Sequence, residues 1–329
     1  MINQQIVLAA RPVGMVKPDD MALHSAQVPN LQVGQLLVKN QFLSVDPAIR
    51  YWLNAGTTYI RGVEFDEPVR CFAAGEVVAS RNDEYSVGQW VTGLLGAQEY
   101  AISDGVGLAR CDPTDGSLSL HLGVLGMPGM TAYFGLLDKG QPHAGEVVFV
   151  SGAAGVVGTT VGQIAKIKGC RVIGSAGSDE KCRYLVEAGF DAAFNYKTED
   201  TDAALKRLAP GGVHIYFDNV GGDTLDAALL NLARGARVVI CGALSQYNES
   251  AYVGPKNYMK ILTARGILTG LIVFDYALQW PTAVRELAGW LREGKVSTRE
   301  VIEPGLKHFP DALVRLYQGG AFGKLLVAV

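Results

Sequence analysis

The sequence predicts an α/β protein in two parts, a doubly wound parallel sheet inserted into a β-rich unit, and three observations predict it. From residue 147 onward, apolar runs alternate with helix-length stretches, the texture of repeated βαβ units. From residue 1 to about 115, apolar residues form short clusters broken every 8 to 15 residues by Gly, Pro, Asn or Asp, which reads as short strands with turns. Between the first long apolar run and the first helical stretch lies a glycine-rich turn at residues 152–158. The length of 329 residues leaves room for roughly two domains of about 150 residues each.

In the first part, apolar clusters at 35–38, 76–79 and 89–91 are expected strands, and residues 112–117 look like a linker. In the second, strands are expected at 146–150, 171–174, 193–195, 214–218, 237–241 and 267–274. Helices are expected at 156–168, 179–187, 223–233 and 282–292. Gly169 suits the C′ position of the first helix, Ser178 can cap the second, and Pro281 stands at the entrance of the last. After residue 296 come a helix-like stretch at 309–317 and a short strand at 324–329, too little chain for a core of its own. This tail is expected to return to the β-rich unit, which gives boundaries of 1–118, 119–296 and 297–329.

Hydrophobic residues make up 49% and the 40 glycines about 12% of the chain, against about 7% on average. The glycines form no Gly/Ser tracts, and so apolar a chain can repay its folding entropy, which excludes disorder and collagen. Lysine and arginine number 29 against 32 acids, for a net charge of −3 without a block of like charge. Nucleic acid and anionic lipid are therefore not expected partners; a small molecule is. Five cysteines, an odd number with no C-x-x-C pair, argue against a disulfide framework and point to a reducing compartment. The apolar run at 6–10 lacks a preceding basic residue and is broken by Arg11-Pro12, so it does not have a signal peptide's layout, and no run reaches about 18 residues. The expected location is the cytoplasm.

The motif that carries chemistry is Val147-Val-Phe-Val-Ser-Gly152-Ala-Ala-Gly155-Val-Val-Gly158. A strand, three glycines spaced by three and a following helix supply a tight turn, a backbone open to pyrophosphate and helix amides aimed at phosphate. The spacing is G-x-x-G-x-x-G, which keeps the last two glycines of the usual dinucleotide fingerprint. NAD enzymes place an acid about 20 residues further on for the ribose 2′-hydroxyl. Here the second strand ends in Ser175-Ala-Gly-Ser178 without a carboxylate, and Lys181 follows, so NADP is favoured over NAD.

Several segments together resemble the prostaglandin reductase and alkenal (curcumin-type) reductase branch of the medium-chain dehydrogenase/reductase superfamily. They are Gly152-Ala-Ala-Gly-Val-Val-Gly158, Val161-Gly-Gln-Ile-Ala-Lys166, Gly177-Ser-Asp-Glu-Lys181, Phe194-Asn-Tyr-Lys197 and Phe217-Asp-Asn-Val-Gly-Gly222. Leu43-Ser-Val-Asp-Pro47 with Arg50, Leu125-Gly-Met-Pro-Gly-Met-Thr-Ala-Tyr133, Cys241-Gly-Ala-Leu-Ser-Gln-Tyr-Asn248 and Phe322-Gly-Lys324 extend the similarity over nearly the whole chain. The resemblance implies a GroES-like β-rich catalytic domain around an inserted Rossmann domain, and reduction by NADPH of the carbon–carbon double bond of α,β-unsaturated aldehydes and ketones. It implies that Gly155, Val156, Val157 and Gly158 hold the pyrophosphate, that Lys181 and Tyr196 meet the 2′-phosphate, and that Asn219 lies along the cofactor. Cys241, Gly242, Ser245 and Tyr247, with Leu271, Ile272 and Val273, resemble the segments that flank the nicotinamide half.

The superfamily also includes zinc enzymes, but this chain has five histidines, no Gly-His-Glu segment and Ser44 where a catalytic cysteine would stand, so no metal is expected. A donor is then needed for the enolate oxygen that develops as hydride reaches the β-carbon. Tyr247 and Tyr258 are the candidates, and Arg50 and Tyr51 are candidates for the substrate pocket. Where the branch commonly reads Asp-Pro-Tyr-Met-Arg, the chain reads Asp46-Pro47-Ala48-Ile49-Arg50, so an aromatic near the substrate is missing and Tyr51 is its possible replacement. Ala321 stands where an asparagine usually precedes Phe-Gly-Lys, and the mammalian tyrosine aligns near Thr263, with Tyr258 close by. The alternatives are a quinone reductase on the same fold and an NADPH-binding protein without turnover. A homodimer through the edge strand near residues 267–274 is expected.

Overall fold

The computed structural model describes all residues but Thr58, Ser250 and Ala321, and the chain divides into two units. One comprises Met1–Gly123, Asn248–Ser250 and Glu300–Val329; the other comprises Val124–Tyr247 and Ala251–Arg299.

In the second unit, six parallel strands stand in the order Ala192–Asn195, Arg171–Ala176, Val147–Val150, Val213–Asp218, Leu232–Ile240 and Ile267–Gly270. In chain order this is 3-2-1-4-5-6, the doubly wound arrangement, and it reverses direction between Val147–Val150 and Val213–Asp218. Parallel strands covered on both faces must be apolar throughout. On one face Phe149 stacks on Phe194 with ring centres 5.9 Å apart and on Tyr216 at 5.0 Å, and Ile173 and Val238 extend this core.

Three expectations need correction, the first being the strand expected at 237–241, which runs Leu232–Ile240 because Leu232 already pairs with Val213. The last strand ends at Gly270 rather than continuing to residue 274, and Val273–Gln279 is a 3₁₀ helix. This edge strand pairs on one side only, and its ladder stops where its partner stops, at Ile240 opposite Gly270. The helix expected at 223–233 is Gly222–Leu230, because Leu232 already pairs with Val213 and draws the chain into the sheet.

In the first unit a hairpin of Ile2–Leu8 and Met21–Gln27 accompanies a seven-stranded sheet. The tail enters that sheet as expected: Lys324–Ala328 pairs antiparallel with Leu36–Ser44 and parallel with Glu300–Pro304. At this junction Lys324, only 2% exposed, donates to Ser44 Oγ at 2.5 Å and Asp46 Oδ1 at 2.6 Å, and Ser44 donates to the other oxygen of Asp46. A buried ion pair is costly to form and costlier to break, since losing one member strands the other's charge. Lys324→Met should therefore destabilise the protein by about 3–5 kcal/mol in urea unfolding, and Lys324→Met combined with Asp46→Leu should recover most of the loss. A single variant within about 1 kcal/mol of the parent would contradict this role.

Candidate functional site: the carboxyl edge of the parallel sheet

Ligands of open α/β sheets bind outside the carboxyl ends of the strands, where the strand order reverses. Here that point lies between Ser151, after the first strand, and Asp218-Asn219, at the end of the fourth. The glycine turn occupies it. Gly152 has φ +58°, and a Cβ on Gly158 would sit 2.6 Å from Ala153 Cα and 2.8 Å from Gly152 O, so only glycine lets the helix Val156–Ile167 start this close to the strand. No side chain caps that helix, whose N-cap is Gly155. Its first amides, from Val156, Val157 and Gly158, are thus left for an external anion at the positive end of the helix dipole, and they fit the pyrophosphate of a dinucleotide.

The two loops beside the turn are laced together. Asn219 Nδ2 donates to Ser151 O at 2.8 Å and its backbone amide to Ser151 Oγ at 3.1 Å. Cys241 and Gly242 amides donate to Asp218 O at 2.9 and 3.1 Å, Leu244 N to Asn219 O at 3.2 Å, and Ser245 Oγ to Val220 O at 2.7 Å. The sequence-predicted Gly155, Gly158, Asn219, Cys241, Gly242 and Ser245 are thereby brought to one edge. Tyr247 joins them: a Cβ on Gly242 would lie 2.9 Å from its hydroxyl oxygen. Tyr258, 59% exposed, precedes the helix Met259–Ala264. Thr263 lies on that helix, and its hydroxyl donates to Lys260 O. Leu271, Ile272 and Val273 follow the edge strand, with Leu271 N bonded to Ile240 O at 3.2 Å. The Cys241 thiol is pushed up to about 12 by burial and by the charge of Asp218, which makes it a poor nucleophile.

At the far end of the edge, Ser178 caps the helix Asp179–Glu187 by accepting from Lys181 N, which fixes Lys181 in the first turn. The Tyr196 hydroxyl lies over Gly177, where a Cβ would stand 2.8 Å from it and 3.4 Å from Lys197 Cε. Burial first and the neighbouring Lys197 ammonium second lower the pKa of Lys181. Lys197 is the residue that sequence spacing missed: it follows a different strand and becomes visible only through the parallel pairing of Ala192–Asn195 with Arg171–Ala176. Tyr196 and Lys197 beside Gly177, with Lys181 close enough to feel the Lys197 charge, make a cationic corner whose chemistry suits a phosphate dianion.

Among the described residues no group of three or more His, Cys, Asp or Glu side chains is placed to hold a metal ion. In the first unit Arg50 is buried, donating to Gly14 O at 3.0 Å, Pro12 O at 3.4 Å and Asn54 Oδ1 at 2.7 Å, which ties the 12–14 loop to its helix Ala48–Trp52. Tyr51 stacks on Tyr59 with centres 6.1 Å apart and planes within 14°, and the Trp52 indole donates to the Tyr59 hydroxyl at 2.8 Å. The expectation for Ala321 lies outside the described residues.

Comparison with known proteins follows the same division. A family described as the N-terminal domain of oxidoreductase matches residues 4–111, and one described as zinc-binding dehydrogenase matches residues 156–289. The NADPH-dependent curcumin reductase of Escherichia coli (strain K12) is 38% identical over 99% of this chain and 97% of its own. The chain belongs to the medium-chain dehydrogenase/reductase superfamily, in its zinc-independent branch. Within that superfamily the NADP(+)-dependent 2-alkenal reductase of Nicotiana tabacum is 39% identical over 99% of this chain and 97% of its own. The crystal structure of CurA in complex with NADPH from Vibrio vulnificus superposes with a TM-score of 0.93 at 40% identity, covering 99% of each chain.

The Lys181–Lys197 pair predicts that adenosine 2′,5′-bisphosphate binds at least about tenfold more tightly than adenosine 5′-monophosphate in calorimetry, since hydrogen bonds to charged groups are worth about 1.5–3 kcal/mol. Lys181→Ala should remove most of that difference; equal affinities for the two probes in the parent protein would contradict the assignment.

Proposed function

We propose that the protein is an NADPH-dependent oxidoreductase that reduces the carbon–carbon double bond of α,β-unsaturated ketones and aldehydes by hydride transfer to the β-carbon. The observation that carries this reading is an uncapped glycine turn and a two-lysine phosphate receptor on one sheet edge, in a chain of the same branch as the curcumin and alkenal reductases. NADPH bound along this edge supplies the hydride. The chain's own part is to hold it and to stabilise the substrate oxygen. The amides of Val156, Val157 and Gly158 take the pyrophosphate, Lys181, Lys197 and Tyr196 the 2′-phosphate, and Asn219 with the 241–247 and 271–273 segments the nicotinamide half.

Tyr247 is the favoured donor to the enolate oxygen, because its hydroxyl sits against Gly242 among the residues of the cofactor edge, and Tyr258 is the second candidate. The stacked Tyr51 and Tyr59 offer an aromatic face to the substrate in place of the aromatic that Ala48 lacks, while Arg50, whose guanidinium is engaged with the 12–14 loop, shapes that region. A homodimer is part of the proposal: the edge strand Ile267–Gly270 exposes Ile267 and Leu268, and an apolar, unpaired edge is suited to pairing with a second copy. Five cysteines without a disulfide support a cytoplasmic location, and no helix among the described residues is long and apolar enough to cross a membrane.

The test is consumption of NADPH and NADH followed by absorbance against panels of enones, enals and quinones. NADPH oxidation with the enones and enals, and little with NADH, is expected; oxidation with quinones alone, or with no acceptor, would overturn the reading. Tyr247→Phe should lower kcat about 10²-fold or more, as loss of an oxyanion donor does, a loss larger than any change in NADPH affinity. An unaltered kcat would exclude Tyr247 and leave Tyr258→Phe as the variant expected to show the loss.

A further inference from the structure

The laced edge holds a charge that nothing in its hydrogen bonding neutralises. Asp218 is 0% exposed. Four donors converge on Oδ1: the Tyr216 hydroxyl at 2.6 Å, Gly221 N at 2.8 Å, Val220 N at 2.9 Å and Ser151 Oγ at 3.1 Å. The other oxygen, Oδ2, is buried and has no hydrogen-bond partner. Among the described residues no lysine, arginine or histidine forms an ion pair with it; burial, the largest influence, raises its pKa above the ordinary carboxylate value, and the four hydrogen bonds oppose the rise.

Its hydrogen bonds favour the ionised form against the effect of burial, and its backbone gives its bearing. Four donors on one oxygen suit a carboxylate, and a proton on Oδ2 would find no acceptor. The backbone oxygen of the same residue receives the Cys241 and Gly242 amides, so the carboxylate lies under the segment that resembles the nicotinamide-flanking stretch of the branch. Desolvated charge acts over longer distances than charge in water, because the effective dielectric constant is lower.

We infer that Asp218 is a positioning and electrostatic residue whose uncompensated carboxylate favours the cationic nicotinamide of NADP⁺ over the neutral ring of NADPH, and so strengthens the bound cofactor as a hydride donor. This rests on the cofactor reading above. The two forms of the cofactor share the same phosphates, so repulsion between carboxylate and phosphates cancels from the ratio of their affinities. What remains in the ratio is the charge of the ring. A role confined to holding the 218–221 turn would weaken both forms alike.

The experiment measures dissociation constants for NADP⁺ and NADPH separately by calorimetry, without any acceptor, on the parent protein, Asp218→Asn and Tyr216→Phe. Asp218→Asn keeps the shape and loses the charge; the ratio Kd(NADP⁺)/Kd(NADPH) is expected to rise about tenfold, the size of one charge acting across a partly buried site. Tyr216→Phe removes the nearest donor to the carboxylate, which raises its pKa further, so as pH is lowered the same ratio should begin to rise at a higher pH than in the parent. A folded Asp218→Asn that weakens both forms equally, with the ratio unmoved, would overturn the inference while leaving the cofactor reading intact. Failure of the parent protein to bind either form would instead overturn that reading. Should Asp218→Asn not fold, Tyr216→Phe decides alone: a ratio that follows pH just as in the parent contradicts the inference.

Discussion

The structure of the cofactor unit depends on one constraint, the crossing of two strand ends at the point where the strand order reverses. Ser151 leaves the first strand there and Asp218 the fourth, each with a last bond to its neighbour: Ser151 N donates to Phe217 O, and Asp218 O accepts the Cys241 and Gly242 amides. Both are satisfied by each other: Ser151 Oγ accepts from Asn219 N, Ser151 O accepts from the Asn219 side chain, and Asp218 takes the amides of Val220 and Gly221. A buried strand end without such partners would cost the desolvation of each orphaned group. While these bonds are spent within the protein, the helix that follows the turn at residues 152–158 has no side-chain cap, and its first amides remain available to an anion, as the proposed pyrophosphate contact requires.

The second unit's edge is thereby divided by charge. Where the helix Val156–Ile167 begins, the field is positive from backbone alone; where Lys181 and Lys197 meet, it is positive from side chains; at Asp218 it is negative and buried. On the proposed reading this order suits a molecule anionic in its middle and at its adenosine end and cationic, once oxidised, at the other. The first unit solves a different problem, how to hold a C-terminal strand added last to a sheet begun by residues 36–44. Its answer is also a buried charge, but a compensated one: the Lys324 ammonium and the Asp46 carboxylate face each other with Ser44 between them.

Much of this was legible in the sequence because it rests on local signals. The glycine turn, the Ser178 cap and the alternation of apolar runs with helical stretches are written in neighbouring residues, and they placed all six parallel strands and the return of the tail to the β-rich sheet. Lys197, Asp218 and Lys324 were not legible in their roles, since each acquires its meaning from residues far away in the chain. Lys197 meets Lys181 only through strand pairing, and Lys324 meets Asp46 across 278 positions. Arg50 shows the reverse: its place in a motif suggested a substrate contact, while its guanidinium is engaged with the carbonyls of residues 12 and 14 and with Asn54. The misjudged end of the last strand has the same origin, since a strand's length is set by its partner as much as by its own residues.

The account centres on hydride reaching carbon β of a conjugated carbonyl from a nicotinamide held on this edge. The most direct measurement is the fate of deuterium: the protein is given NADPH deuterated at C4 of the nicotinamide, on the transferred face, together with a simple enone, and the product is examined by NMR. The account predicts a saturated ketone with one deuterium on the β-carbon. An allylic alcohol carrying the deuterium on the former carbonyl carbon would contradict it.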